Sequence, residues 1–317
     1  MRKMPSILLG LLLLLSACTN GLPTPEEAVP TALPTLPEPT CSCEPTLLQP
    51  SATSVPQPTP TPAINIPLVT VDAQEMVLIP AGDFLIGCDQ ANNAGLNCPA
   101  DELPQQSATL PDFMIDKFEV TNGQYALCVQ SGACTPPSSL NSETRTGYYS
   151  DPQYIDFPVV YVSWKQANAY CAWAGKRLPT DAEWEKAARG TTENVFPWGD
   201  EPPTCELVNG FPSGTRWPCA SDTARVGSYP KGASPYGVMD LSGNVWEWVA
   251  SVYQPDYLPG AEPSPEAPTT DYGYKVVRGG GWGSPVLDLR ISGRAFDPDF
   301  HTAKNLGFRC VSEAANP

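Results

Sequence analysis

Apolar positions fall into three regimes along this chain. A continuous run, Ile7–Leu15, is followed by a stretch in which apolar residues stand singly between Pro and Thr, and only from Met76 onward do they recur with structural periods. MVLIP (Met76–Pro80) and DFLIG (Asp83–Gly87) are short apolar runs across a Pro-Ala-Gly turn, which predicts a hairpin. Thr121 can cap a helix running through Tyr125 and Cys128 toward Gly132. Ser163 can cap a second, with Ala167, Tyr170, Cys171 and Ala174 on one face and Gly175 closing it. Thr180-Asp-Ala-Glu183 reads as a capping box, opening a third helix that ends at Gly190. Beyond it Gly, Pro, Asn and Asp dominate, with brief strands at Lys275–Arg278 and Gly307–Val311. The pattern predicts an α+β domain rich in irregular loops, held by disulfides, bound ions and buried aromatics.

The first two regimes are an address and a spacer. Arg2 and Lys3 precede the apolar run, which is too short to span a bilayer and reads as a signal segment over residues 1–17. Leu15-Ser16-Ala17-Cys18 resembles the bacterial lipobox, which implies that Cys18 is lipidated and becomes the mature N-terminus. Residues 18–70 form the lipidated Cys and a stalk; thirteen Pro and ten Thr in 19–70, with no aromatic or base, offer too little apolar surface to offset ordering entropy. In polyproline II at ~3.1 Å per residue such a stalk reaches up to roughly 150 Å from the membrane. Cys41 and Cys43 lie within it without an evident role. Residues 71–317 are then the globular domain, and all 29 aromatics fall in it.

Charge narrows the partners. With 18 Lys+Arg against 34 Asp+Glu the net charge is −16, and no basic cluster exists to neutralise phosphates, so nucleic acid is not a partner. The same charge is repelled by anionic headgroups, which leaves the N-terminal lipid as the contact with a membrane. Setting Cys18 aside, ten of the eleven Cys remain, an even number suited to an oxidising, extracytoplasmic compartment. Cys88/Cys98, Cys128/Cys134 and Cys205/Cys219 are close enough in sequence to bridge locally, and no CxxC…CxxC spacing suggests zinc.

AGKRLPTDAEWEKAARG (Ala174–Gly190), FPWGD (Phe196–Asp200), YGVMDLSGNVWEW (Tyr236–Trp248), VVRGGGW (Val276–Trp282) and NLGFRC (Asn305–Cys310) together resemble the sulfatase-modifying-factor, or formylglycine-generating-enzyme, family over roughly Met76–Val311. The resemblance implies a variant of the C-type-lectin fold, a Cys171–Cys310 disulfide and structural calcium. Its calcium ligands map onto Asp240, Gly243, Val245 and Glu247, two carboxylates flanking a glycine turn whose carbonyls suit a hard cation. A second set maps loosely onto Asn209, Gly210 and Asp222. The remaining concave face of the family maps onto Trp246, Trp282, Ser284, Arg290, Arg294 and Asn305, aromatic rings with fixed polar groups; both Trp residues suit a core equally well.

The chemistry departs from the family's oxidases. These use copper(I), held by two thiols five positions apart after an RGGS motif. Here the segment reads RGGGWGSPVLDLRISGR (Arg278–Arg294): Gly281 replaces the serine, Ser284 stands at the first thiol, and no Cys lies between Cys219 and Cys310. A hydroxyl is too hard and too weakly acidic to hold copper(I), so copper is not expected. The single histidine, His301, reads as a solvated loop residue; a Ser284–His301 pair, or Asp288 paired with Asp297 or Asp299, is left open by the sequence. The reading is therefore a lipid-anchored, extracytoplasmic bacterial protein displaying a calcium-stabilised domain that binds a peptide, protein or glycan. The alternative is an enzyme, of the formylglycine-generating oxidase type or another sulfatase-modifying-factor chemistry, acting on exported proteins.

Overall fold

The computed structural model describes residues 75–254 and 273–314. The signal segment, Cys18, the stalk and Cys41/Cys43 lie outside the described residues. Among the described residues there are three α-helices: α1 (Asn122–Ser131), α2 (Trp164–Trp173) and α3 (Asp181–Arg189). Each begins at its expected cap with a full capping box, Thr121 with Gln124, Ser163 with Gln166 and Thr180 with Glu183, so two orphan N–H groups are satisfied at each start. Gly132 ends α1 in the left-handed conformation at φ 80°.

The strands are β1 (Met76–Ile79), β2 (Gly82–Ile86), β3 (Gln106–Leu110), β4 (Phe113–Asp116), β5 (Trp246–Val252), β6 (Tyr274–Arg278), β7 (Arg294–Pro298), β8 (Leu306–Phe308) and β9 (Val311–Glu313). The expected hairpin across Pro80–Gly82 does not form. β1 pairs with β4, which also pairs with β9, while β2 pairs with β3. Burial explains the split: Ile79 packs with Phe113, Trp184 and Val311, whereas Phe84 and Ile86 pack on Ala182 in a separate cluster. The two runs serve different cores and cannot stay side by side.

A four-stranded sheet, ordered β7-β6-β5-β8, carries the rest. Its β5–β8 pairing is parallel, with Glu247 opposite Gly307 and Trp248 opposite Phe308. The strand expected over Gly307–Val311 is in fact two, β8 in this sheet and β9 in the three-stranded one. Arg309 and Cys310 make the crossing, both fully buried, and Cys310 is bonded to Cys171 of α2. The local bridges Cys88–Cys98, Cys128–Cys134 and Cys205–Cys219 are also formed. β5 was not legible as a strand because its residues continue the Asp240 turn without a break in pattern.

Candidate functional site

The turn before β5 is built from unusual backbone. Asp240, Gly243 and Asn244 take φ of 60°, 78° and 59°, a region that Asp and Asn tolerate better than other L residues. Gly243 is required by space as well: a Cβ there would lie 2.3 Å from the Asn209 carbonyl. The turn therefore presses against Asn209, and Asn244 Nδ2 reaches Glu119 Oε1 at 2.9 Å while its Oδ1 accepts from Asn209 Nδ2 at 3.1 Å.

Glu119, Asp240 and Glu247 are buried together beside one buried cation, Arg309. Arg309 donates to both Glu247 oxygens at 2.7 Å, and Trp184 Nε1 adds a bond of 2.9 Å to Oε2, so three of roughly four acceptor sites of Glu247 are taken. Asp240 Oδ2 accepts from Gly227 N–H at 2.6 Å. Glu119 Oε2 and Asn209 Oδ1 are buried acceptors with no hydrogen-bond partner. Burial, and then the charge of Asp240, push the Glu119 carboxyl well above the ordinary range; burial raises Asp240 as well. Three carboxyls face one guanidinium; even with Glu119 holding a proton toward Asp240, one negative charge stays uncompensated, and buried charge is costly unless paired.

A divalent cation would answer that charge, and Asp240 of the expected set is among the groups placed there. Glu119 and Asp240 would hold it, helped by the Asn209 amide oxygen and turn carbonyls; Glu247 is instead the partner of Arg309. Among the described residues no three His, Cys, Asp or Glu side chains form a metal cage by themselves, so backbone oxygens are needed. Of the second expected set, Asn209 Nδ2 donates to the Asp222 carbonyl at 2.9 Å, while the Asp222 carboxylate and the Gly210 carbonyl have protein partners. Asp222 accepts from Ser142 and Thr144 hydroxyls and from the Thr144 and Thr223 N–H groups, and Gly210 O accepts from Cys219 N–H. Burial alone would raise Asp222, but those bonds outweigh it and hold the carboxyl low.

The segment after β6 forms the second half of the site. Trp282 N–H bonds to the Asn244 carbonyl at 2.8 Å, Trp246 N–H to the Asn305 carbonyl at 2.8 Å, and Phe211 N–H to the Ser284 carbonyl at 3.0 Å. Gly281 abuts Asn305, where a Cβ would come within 3.0 Å of Nδ2. A serine at that position would require Asn305 to give by a few tenths of an ångström. Trp246, Trp282, Ser284 and Asn305 are thus brought together. Lys304 Nζ lies 5.3 Å above the Trp282 ring and 2.7 Å from Glu143, and Trp282 Nε1 is buried without a partner.

The Ser284 hydroxyl is engaged on two sides. Its Oγ accepts from Gly281 N–H at 3.0 Å and its hydroxyl donates to Asp288, whose carboxyl burial raises. His301 bonds to Asp297 at 2.8 Å and Asp299 to Lys165 at 3.2 Å, so neither the Ser284–His301 pair nor a carboxylate pair with Asp288 exists. Arg290 and Arg294 do not face this site. Arg290 is buried in a bidentate pair with Glu102, and Arg294 bonds to Asp181 Oδ2 at 3.0 Å and the Asp101 carbonyl. Leu289, five positions after Ser284, is fully buried with Val195, Phe196 and Val208.

The chain matches the sulfatase-modifying factor enzyme 1-like domain over residues 65–314. It belongs to that family. It is 32% identical over 291 residues to the inactive C-alpha-formylglycine-generating enzyme 2 of Bos taurus, covering 76% of this chain and 89% of that protein. It is 31% identical over 296 residues to the formylglycine-generating enzyme of Streptomyces coelicolor, covering 75% and 89%. Among solved structures, PvdO from Pseudomonas aeruginosa superposes with a TM-score of 0.61 at 28% identity, covering 76% of this chain and 95% of that one. The fold is the family's C-type-lectin-like α+β arrangement. A relative named inactive and one named a formylglycine-generating enzyme stand at 32% and 31% identity, so the site residues must decide between them.

Proposed function

We propose that this protein is a lipid-anchored, extracytoplasmic member of the family that binds a peptide, protein or glycan ligand and does not carry out copper oxidase chemistry. The observation that carries the reading is Ser284, a hydroxyl at the position of the first oxidase thiol, occupied on one side by Gly281 N–H and on the other by Asp288. Copper(I) wants soft sulfur, and the position of a second thiol, Leu289, is committed to the core. The rings of Trp246 and Trp282, with Asn305 and Lys304 beside them, supply the mixture of apolar face and polar group that ligand sites use.

Calcium is proposed as the structural ion, held by Glu119 and Asp240 with oxygen atoms of the adjacent turn. The two orphaned acceptors and the uncompensated negative charge support it. The lipobox at Cys18 and the four disulfides support placement outside the cytoplasm.

The test is mass spectrometry of a Cys-x-Pro-x-Arg peptide incubated with the full chain, copper(I) and O₂. The peptide should stay unmodified. Conversion of its thiol to an aldehyde would overturn the binding reading. Binding to peptide and glycan arrays should in turn be lost in Trp282→Ala.

A further inference from the structure

The Cys88–Cys98 bridge differs from a plain structural staple in the surroundings of its two sulfurs. Cys88 is 3% exposed, at the end of the segment that follows β2, whereas Cys98 is partly open to solvent. Against Cys88 Sγ, at 3.3 Å, lies Nη1 of Arg290, a guanidinium with no exposure of its own. That Nη1 has two hydrogens, yet four acceptors lie within reach: Cys88 Sγ, Asn93 Oδ1 at 2.8 Å, Glu102 Oε2 at 2.8 Å and Ser292 Oγ at 3.1 Å. The guanidinium can therefore shift its donation toward sulfur by releasing the Asn93 amide or the Ser292 hydroxyl, without losing Glu102, which Nη2 also holds at 2.7 Å.

In thiol–disulfide exchange the thiolate attacks the sulfur it can reach, and the better leaving group is the sulfur whose thiolate is better stabilised. A neighbouring guanidinium gives that stabilisation. Access favours attack at Cys98 and charge favours departure of Cys88; the two preferences point the same way. We propose that Cys88–Cys98 is a directional thiol-exchange site for small thiols. The incoming thiolate forms a bond to Cys98 Sγ, the Cys88–Cys98 bond breaks, and its electron pair leaves on Cys88 as a thiolate against Arg290. No oxidant is consumed: the thiol is oxidised to the mixed disulfide as Cys88 is reduced. Burial raises the Glu102 carboxyl despite Arg290, so a proton can be taken up at Glu102 to balance the charge delivered to Cys88.

Exchange here acts on more than one loop. Arg290 Nε also holds the Leu287 carbonyl at 2.8 Å, within the segment that carries Ser284 and Asp288. A thiolate at Cys88 competes for the same guanidinium that fixes that segment.

The experiment uses the full oxidised protein, briefly exposed to reduced glutathione, acid-quenched, alkylated and mapped without reduction. The glutathione adduct should sit on Cys98 and the alkyl group on Cys88, in roughly tenfold or greater excess over the reverse isomer. Arg290→Gln should slow exchange at this bridge about tenfold relative to Cys205–Cys219 in the same molecule, which serves as the internal reference. An adduct on Cys88, an even distribution, or a bridge inert while Cys205–Cys219 exchanges would overturn the proposal. If Arg290→Gln does not fold, the wild-type adduct position decides alone.

Discussion

Glu119→Gln is the most informative single substitution. Glu119 Oε1 accepts from Asn244 Nδ2, while Oε2 is buried, unpartnered and close to the Asp240 carboxylate. The amide keeps the first bond through its oxygen and offers an N–H₂ donor where the second oxygen stood. Without calcium, the change removes a carboxyl whose ionisation burial and Asp240 oppose, together with one unsatisfied acceptor. A buried unsatisfied group costs ~1–3 kcal/mol; taking about 2 kcal/mol, a domain of this size should melt roughly 4–8 °C higher than wild type in chelator. With calcium the order should invert, because wild type gains about 2.7 kcal/mol at a hundredfold excess of ion over Kd and the variant gains little. Proton linkage gives a second readout. A carboxyl raised in the folded state binds its proton more tightly there than in the unfolded chain, so its contribution to stability falls as pH rises above the ordinary Glu value. Glu119→Gln should flatten that fall in chelator. Melting curves of both proteins, with and without calcium, are the assay. A wild type indifferent to chelator, with a variant that melts lower in both buffers, would refute the reasoning.

Four further outcomes are expected. Cys18→Ala should move the protein from the membrane fraction to the medium or leave an unprocessed precursor; a processed variant that still needs detergent would contradict the anchor. Cys171→Ser should cost roughly 5 kcal/mol on the chain-entropy view, since the bridge spans 139 positions, and denaturant titration should show a loss well above that for Cys128→Ser, which spans 6. Asp222→Asn should lower stability at neutral pH but converge with wild type in acid: the depressed Asp222 carboxyl contributes above the unfolded value of ~3.9 and loses its contribution as pH falls through its lower folded value, so parallel stability–pH curves would contradict it. Ser284→Cys with Leu289→Cys should not recover copper(I) binding, because the second sulfur would lie among Val195, Phe196 and Val208; copper uptake by titration would show the core yielding.

Local signals were legible in the sequence and long-range pairings were not. Thr121, Ser163 and Thr180 are capping residues whose partners lie three positions away, so each helix start is written within a few residues. The hairpin over Met76–Gly87 failed because turn chemistry does not state which core each run must meet, and Ile79 and Phe84 meet different ones. The family resemblance placed Trp246, Trp282, Ser284 and Asn305 in one region, and the backbone hydrogen bonds join them. Arg290 and Arg294 were misplaced since sequence proximity to Ser284 says nothing of Glu102 and Asp181, carboxylates far away in the chain. The same limit hid Glu119 and the pairing of Arg309 with Glu247, although one signal existed: an acid between Phe118 and Val120, and a base between Phe308 and Cys310, are charges within apolar runs and need buried partners.

The crossing at Arg309–Cys310 governs when the domain can form. β8 completes one sheet against β5 and β9 completes another against β4, pairing Phe113 with Glu313, and both strands belong to the last stretch of described chain. The sheet of β1 and β4 therefore waits for the final strand, a high-contact-order arrangement that loop-closure entropy makes slow to assemble. During synthesis or export the earlier segments must remain unfinished until Val311–Glu313 arrives. A chain truncated before Leu306 would lose the closing strand of both sheets, the long disulfide and the cation beside Glu247 in a single cut. A molecule that has folded is one in which Leu306–Glu313 has already been made.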